Sequence, residues 1–361
     1  MKKRIILCLL SFFILVTIIL SGCTALDTVF EDTSATELST TAFFSDAPFT
    51  VAFIDVGQGD SALIKCGDET MLIDAGTYSE RLKVISYLNS AGITSLDYCV
   101  ATHPHSDHIG GMDEVIYNFD VDTLVYPLCE TDSASWNYVL DACDERGVSY
   151  YNPQPEDSFY LGDALVTVLS PSADADYDNL NNYSIVLKVD YKNTSFLFTG
   201  DAETEVEYEL LEKGYDITAD VLKCGHHGSS TSSSSKFINA VNPAVTVISC
   251  GKDNDYGHPH RETISTLSHR QIEIYRTDIL STITASSDGE TITLYAENET
   301  LGTFAPRADV SYLYIGNKNS QVFHIETCNS VENMSDKNKV IFQNRENAVN
   351  KGYSPCKSCN P

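Results

Sequence analysis

The chain has 361 residues, enough for two domains with a sizeable core in the larger. Its formal net charge is −28, from 23 basic and 51 acidic residues. That balance excludes capture of a polyanion by long-range attraction, so any nucleic-acid contact must be made at short range. The first element is a targeting segment rather than fold: Met1-Lys2-Lys3-Arg4 is basic, and residues 5–20 are apolar apart from Ser11 and Thr17. The competing reading is an uncleaved membrane anchor, since such a stretch comes close to spanning a bilayer.

The segment ends in Leu20-Ser21-Gly22-Cys23, which resembles the bacterial lipobox. That resemblance implies a signal peptide over 1–22 and a lipidated Cys23 at the mature N-terminus, with the body of the protein outside the cytoplasm and tethered to the membrane. Without Lys2, Lys3 and Arg4 the chain keeps 20 basic residues against 51 acidic ones, a net charge of −31. Residues 23–48, rich in Thr, Ser, Asp and Glu, read as an acidic tether. Cys66, Cys99, Cys129, Cys143, Cys224 and Cys250 lie mostly in apolar runs and read as small core hydrophobes, although their location permits disulfides.

From Phe49 short strands alternate with helices. Strands are predicted at 49–56, 61–66, 70–73, 96–102 and 124–126, with helices at 79–91, 109–118 and 134–146, the last stopped by Gly147. Strands follow at 164–169, 183–189, 195–199, 221–223 and 244–249, with helices at 202–213, 236–241 and 261–269. Strands near 272–275, 281–285 and 291–295 close a domain spanning 49–300. The α/β pattern predicts two sheets packed face to face between helices, and Pro306 marks a linker at 301–311.

The most informative stretch is His103-Pro104-His105-Ser106-Asp107-His108, three imidazoles and a carboxylate leaving a strand. Divalent zinc or manganese takes these nitrogen and oxygen ligands, and a turn leaving a strand can aim them at neighbouring ions. Two later strand ends carry the same chemistry, Gly200-Asp201 and Gly225-His226-His227-Gly228-Ser229.

In this order the motifs resemble the metallo-β-lactamase superfamily. More closely, they are similar to the hydrolase domain of the ComEC DNA-uptake proteins, through Ile54-Asp55-Val56-Gly57-Gln58-Gly59-Asp60-Ser61, Leu72-Ile73-Asp74-Ala75-Gly76, Asn181-Asn182-Tyr183-Ser184 and Tyr256-Gly257-His258-Pro259. The resemblance implies an αββα sandwich and a two-metal hydrolase. One ion would use His103, His105 and Asp201; the other would use Asp107, His108, His226 and the shared Asp201. The superfamily's further histidine between the first motif and Gly-Asp is missing, and Asn182 or Ser184 stands in its place, leaving the first ion at most three strong ligands.

Two ions side by side would supply hydroxide at neutral pH, oriented by Asp107. His258 would contact a phosphoryl oxygen or protonate the leaving group, the alternative being a turn histidine capping the helix at 261. Asp55, Asp60 and Asp74 are expected to fix the ligand loops by hydrogen bonding, and His227 is given a supporting role. The run Ser229–Ser235 would donate to phosphate oxygens or form a flexible polar loop.

Near the C-terminus, His324-x3-Cys328 and Cys356-x2-Cys359 form a Cys₃His zinc pattern. The surrounding residues, about 312–361, resemble the metal-binding domain of the Ada alkylation-repair protein. At this size the module needs its structural zinc to fold. His324 stands where Ada-type domains place the alkyl-accepting cysteine, so no alkyl transfer is expected.

Together these readings predict a membrane-anchored extracytoplasmic hydrolase with two divalent ions, zinc or manganese, cutting phosphodiesters of DNA. The alternatives are phosphodiesters of wall polymer, small molecules, or a non-catalytic module that captures DNA for competence.

Overall fold

The computed structural model describes residues 47–361 except 173, 298, 307–313, 326–327, 343–344 and 360–361. The expected signal peptide, Cys23, nearly all of the tether and part of the linker lie outside the described residues. No helix among the described residues is long and apolar enough to cross a membrane.

Six strands open the fold: β1 (Phe49–Phe53), β2 (Ala62–Cys66), β3 (Glu69–Ile73), β4 (Ser95–Val100), β5 (Asp120–Val125) and β6 (Ser149–Tyr151). Seven more build a second sheet: β7 (Ser158–Leu161), β8 (Ala164–Ser170), β9 (Val186–Tyr191), β10 (Thr194–Phe198), β11 (Val221–Lys223), β12 (Val245–Ile248) and β13 (Glu273–Arg276). The chain then returns to the first sheet with β14 (Ile283–Ser287), β15 (Ile292–Ala296) and β16 (Glu299–Phe304). The nine-stranded order is β16-β15-β14-β1-β2-β3-β4-β5-β6, and the seven-stranded order is β13-β12-β11-β10-β9-β8-β7.

Alternation along the strands assembles three layers of core. Phe49, Val51 and Phe53 of β1 face inward to meet Val189, Phe196 and Phe198 of the other sheet, with Phe49 stacked on Tyr191 at 5.0 Å. Ala52, Leu63 and Leu72 point the other way, against Val84 and Leu88 of the helix Arg81–Ser90 and Val139 of the helix Ala134–Arg146. Leu197 and Leu222 do the same on the second sheet, beneath the helices Thr204–Lys213, Ser235–Val241 and Arg261–His269. Because both faces of each sheet are covered, the strands read as nearly unbroken apolar runs. This is the predicted αββα sandwich.

Three strands escape the sequence pattern. β6 and β7 are short, edge-placed and rich in tyrosine and serine, so they offer little alternation to read. β16 pairs antiparallel with β15 from Ala296↔Glu299 to Ile292↔Phe304, which carries the first sheet past residue 300. The helix expected at 109–118 is two, Ser106–Ile109 and Met112–Asn118. They part at Gly110-Gly111, where a Cβ on Gly110 would strike the Ser106 carbonyl and one on Gly111 would crowd Ala75 O at 2.6 Å. The six scattered cysteines are free thiols, five of them buried.

The C-terminal residues form their own small sheet, β17 (Tyr314–Asn317), β18 (Val322–Ile325), β19 (Lys339–Phe342) and β20 (Ser354–Pro355), in the order β19-β17-β18-β20. Phe323, Phe342 and Ala348 fill one small cluster, and Ile315, Val331 and Met334 gather with Cys328 and Cys356 in another. So few buried apolar residues cannot by themselves offset the ordering entropy of such a short segment.

Candidate metal centre and its pocket

The ligand-bearing turns follow the carboxyl ends of β4, β10 and β11, the edge at which α/β sheets present their sites. Backbone hydrogen bonds lock the first turn in place: Ala75 N donates to His108 O at 2.6 Å and Asp60 N to Asp107 O at 3.1 Å. Gly59 permits the second contact, since a Cβ there would collide with the Asp107 carbonyl.

One ligand atom from each of Asp107, His108, Asp201 and His227 lies within 4.8 Å of the others. His108 Nε2 stands 3.2 Å from Asp201 Oδ1, and His227 Nε2 stands 3.3 Å from Asp107 Oδ2 and 3.5 Å from Asp201 Oδ2. His108 Nε2, His227 Nε2 and Asp201 Oδ1 are buried without a hydrogen-bond partner. Buried polar atoms left unpaired are costly, and here three of them converge on one point. A divalent cation satisfies all three, so the donor set fits a metal ion.

Protonation follows the same logic. Burial opposes charge on His108, yet the Asp201 and Asp74 carboxylates hold its pKa well above the ordinary imidazole value. His227 is likewise raised to about 10, against its burial, by Asp201 and Asp60. Burial alone would raise Asp201, but His108 and His227 hold it well below the usual carboxylate range. Protons thus neutralise a cluster that a metal neutralises better, releasing those protons as it binds.

Of the three acids expected to support the ligand loops, Asp74 and Asp60 lie against ligand imidazoles. Asp74 Oδ2 sits 2.7 Å from His108 Nδ1 and accepts from Thr102 Oγ1 at 2.7 Å, while Thr102 N donates to Asp74 Oδ1. Asp60 Oδ1 lies 3.2 Å from His227 Nδ1. An acceptor on the far nitrogen, Asp74 for His108 and the Ser249 carbonyl at 3.1 Å for His227, fixes the tautomer and keeps the lone pair on Nε2. Asp74→Asn is therefore expected to weaken metal binding about 10- to 100-fold in a chelator competition, with the fold intact by circular dichroism. Asp55 acts elsewhere, accepting from Gly57 N within its own turn.

At the HHG turn the structure corrects the sequence reading. His227, not His226, joins the cluster. Both residues are left-handed, with φ of 49° and 52°, and this double turn carries the second imidazole inward until it is 1% exposed. His226 lies beside that cluster in the pocket wall: its Nδ1 is held by Thr231 Oγ1 at 3.0 Å and Glu203 at 3.4 Å, and its Nε2 stands 3.7 Å from Asp201 Oδ2. Asn182 does not fill the place of the missing histidine either. It donates to Glu205 and accepts from Glu203 N, fixing the start of the helix Thr204–Lys213. Ser184 does reach the site: its Oγ accepts from Asp201 N at 3.0 Å and lies 3.3 Å from His103 Nδ1.

His103 and His105 come together at 3.1 Å between Nε2 and Nδ1, with Asp201 Oδ2 4.0 Å from His103. This first trio is looser than the four-residue cluster. The run Ser229–Ser235 is pinned rather than free: Ser232 Oγ donates to Ala202 O, and the Ser233 and Ser234 amides donate to the Glu207 carboxylate. Ser229 Oγ accepts from Thr231 N.

A pocket of about 330 Å³ opens over the cluster, lined by Gln58, His105, Ser106, Asp107, Asn181, Asp201, His226, His227, Tyr256 and His258. His258 faces this space, and it is His260 that occupies the N-cap position of the helix Arg261–His269. Burial and the neighbouring His227 and His226 push the His258 pKa down to about 4, so its ring is neutral at pH 7. Gly251 N donates to Gln58 Oε1, which turns the Gln58 amide nitrogen toward His258 Nδ1 at 3.4 Å. Nδ1 accepts, and the ring proton sits on Nε2.

Sequence reasoning missed Lys223. Its buried ammonium donates to Asp60 Oδ2 at 2.6 Å and to Cys224 O at 3.0 Å. The signal was present, a lysine closing the apolar run Val221-Leu222-Lys223-Cys224.

In the C-terminal module, His324, Cys328, Cys356 and Cys359 each bring one ligand atom to within 4.8 Å of the rest, and His324 Nδ1 is 3.3 Å from Cys328 Sγ. This is the Cys₃His arrangement of a structural zinc.

An αββα sandwich with a carboxylate–imidazole cluster at its strand ends defines a metallo-hydrolase. Residues 54–252, more than half of the chain, match the metallo-beta-lactamase superfamily, and the chain belongs to it. Residues 302–361 match the metal binding domain of Ada. The chain is 36% identical over 251 residues to ComE operon protein 3 of Bacillus subtilis (strain 168), covering 64% of this chain and 32% of that protein. It is 33% identical over 239 residues to competence protein ComA of Neisseria gonorrhoeae, covering 62% and 30%. The matched region thus spans about a third of the length of these relatives. Among solved structures, the metallo-beta-lactamase fold protein YhfI from Bacillus subtilis aligns at 13% identity with a TM-score of 0.42, covering 63% of this chain and 96% of that one.

Proposed function

We propose that this chain is a lipid-anchored hydrolase that cleaves phosphodiester bonds outside the cytoplasm, with DNA as its substrate. The observation that carries the hydrolytic part is the convergence of unpaired His108, His227 and Asp201 atoms beside an open pocket that Asp201 and His227 line. The competence names of its relatives support DNA. The Lys-Lys-Arg start, apolar run and Leu-Ser-Gly-Cys23 support the anchor.

Asp107, His108, Asp201 and His227 would hold a divalent ion, with His103 and His105 positioned for a second. Such ions supply Lewis acidity that makes water nucleophilic at neutral pH and offsets charge on a phosphoryl group. The chain's own residues do the rest. Asp107 is half-exposed at the pocket floor, where its carboxylate can orient a water as well as ligate. Neutral His258, with its proton on Nε2, can hydrogen-bond to a phosphoryl oxygen or to the departing alkoxide, whose proton comes from water.

The test is turnover by purified protein loaded with Mn²⁺ or Zn²⁺, on single-stranded DNA and on bis-p-nitrophenyl phosphate. Asp107→Ala is expected to lose at least about 100-fold in kcat/KM. DNA retained without turnover in every metal would identify a capture module instead. Turnover of wall-polymer phosphodiesters but not of DNA would move the substrate, an outcome for which the charge of −28 leaves room.

A further inference from the structure

The pocket that would receive a phosphodiester contains no lysine or arginine among its lining residues, and the chain as a whole carries a charge of −28. A nucleic acid bound there gains little from the counterion release that ordinarily dominates such affinity. Another source of attraction is needed, and the pocket mouth supplies one. Tyr256 is 67% exposed at the rim. Its ring lies parallel to that of His258, with centroids 5.6 Å apart and planes 20° apart, and His258 in turn stacks on His227 at 6.1 Å and 28°. Three flat rings therefore lead from the ligand cluster out to solvent, the outermost largely exposed.

The loop carrying this ring is braced. Asn254 Nδ2 donates to Gly251 O at 2.8 Å and to His258 O at 2.6 Å, and Asn254 Oδ1 accepts from His258 N at 2.9 Å. A scattered surface tyrosine needs no explanation. One fixed at the end of an aromatic file beside a metal cluster is a preformed stacking surface.

We infer that Tyr256 is a nucleobase subsite, an aromatic platform that stacks one base of a single strand while the adjoining phosphodiester reaches the ligand cluster. This rests on the phosphodiesterase reading of the same pocket and narrows its substrate class. Every nucleobase has a π-face to offer, whereas a base-free sugar–phosphate or polyol–phosphate polymer has none. Stacking also ignores the sign of the protein's charge, so strand affinity should change only shallowly with salt.

The experiment uses the full metal-loaded chain with a short oligo(dT) and an abasic phosphodiester strand of equal length. Affinity is read as Kd by fluorescence anisotropy where the strand stays intact and as KM where it is cleaved. Wild type is expected to prefer oligo(dT) by roughly 5- to 150-fold, the worth of one stacked base. In Tyr256→Ala that preference collapses toward unity, and in Tyr256→Trp it persists. A preference that survives Tyr256→Ala, or its absence from wild type, overturns the subsite. Cleavage is scored separately. Equal cutting of both strands removes the subsite and keeps the hydrolase; a Tyr256-dependent preference without any cutting keeps the subsite and removes the hydrolase.

Discussion

Alanine at position 227 is expected to strip the hydrolytic centre of its metal, while alanine at 226 leaves the metal in place. His227 contributes a buried, unpaired Nε2 to the cluster, and losing a direct ligand costs more than the roughly 10- to 100-fold typical of a supporting residue. His226 lies outside that four-residue cluster, its Nδ1 held by Thr231 and Glu203 and its Nε2 3.7 Å from Asp201 Oδ2. Elemental analysis after chelator-free purification decides the matter, and the Cys₃His zinc in the same chain serves as the internal standard. The His227→Ala protein should retain only that ion; the reverse pattern would return the ligand role to His226. The pH dependence carries a sign as well. His227 is raised to about 10, so in the metal-free protein its ion pairs contribute stability in full below the unfolded value of about 6.5 and lose it as pH rises through 10. A metal must displace that proton, so affinity at the hydrolytic centre should rise steadily from pH 6 to pH 8.

The same pair of histidines shows where sequence reasoning stops. Residue types, order and strand-end placement were readable, because few other roles bring three imidazoles and a carboxylate into six residues. Which of two adjacent imidazoles turns inward depends on φ and ψ, and His226 and His227 both adopt a left-handed conformation that no spacing rule announces. Helix ends were readable for a local reason: Gly147 and Gly214 take the left-handed C-cap that only glycine adopts freely. β16 was not, since its pairing with β15 is a matter of register between chain segments and its sequence is largely polar. Asn182 was misplaced because it was read as standing in for an absent ligand, whereas its partners, Glu203 and Glu205, lie in the next helical segment.

Lys223→Met is expected to be the most destabilising single change in the sandwich domain outside the ligands themselves. The lysine is buried, and its ammonium answers a buried carboxylate on Asp60. Removing one partner of such a pair leaves an uncompensated charge in the interior, worth about 3–5 kcal/mol, or roughly 6–20 °C in Tm for a domain of this size. Removing both in Lys223→Met/Asp60→Leu should recover most of that stability, because two desolvation penalties vanish together. It should not recover metal affinity, since the Asp60 carboxylate also stands 3.2 Å from His227 Nδ1, beside the Ser249 carbonyl at 3.1 Å. The double variant therefore separates the two duties, folding normally yet binding metal about 10- to 100-fold more weakly. Burial opposes charge on Asp60, but Lys223 holds its pKa down at about 2, so its contribution is present above the unfolded value of about 3.9 and lost as pH falls toward 2. Lys223 is raised, so its share is present below about 10.4 and lost above it. The cost of Lys223→Met measured by urea unfolding should therefore stay level from pH 5 to pH 9 and shrink on acidification. A cost that grew as pH fell would mean that the lysine answers some group other than Asp60.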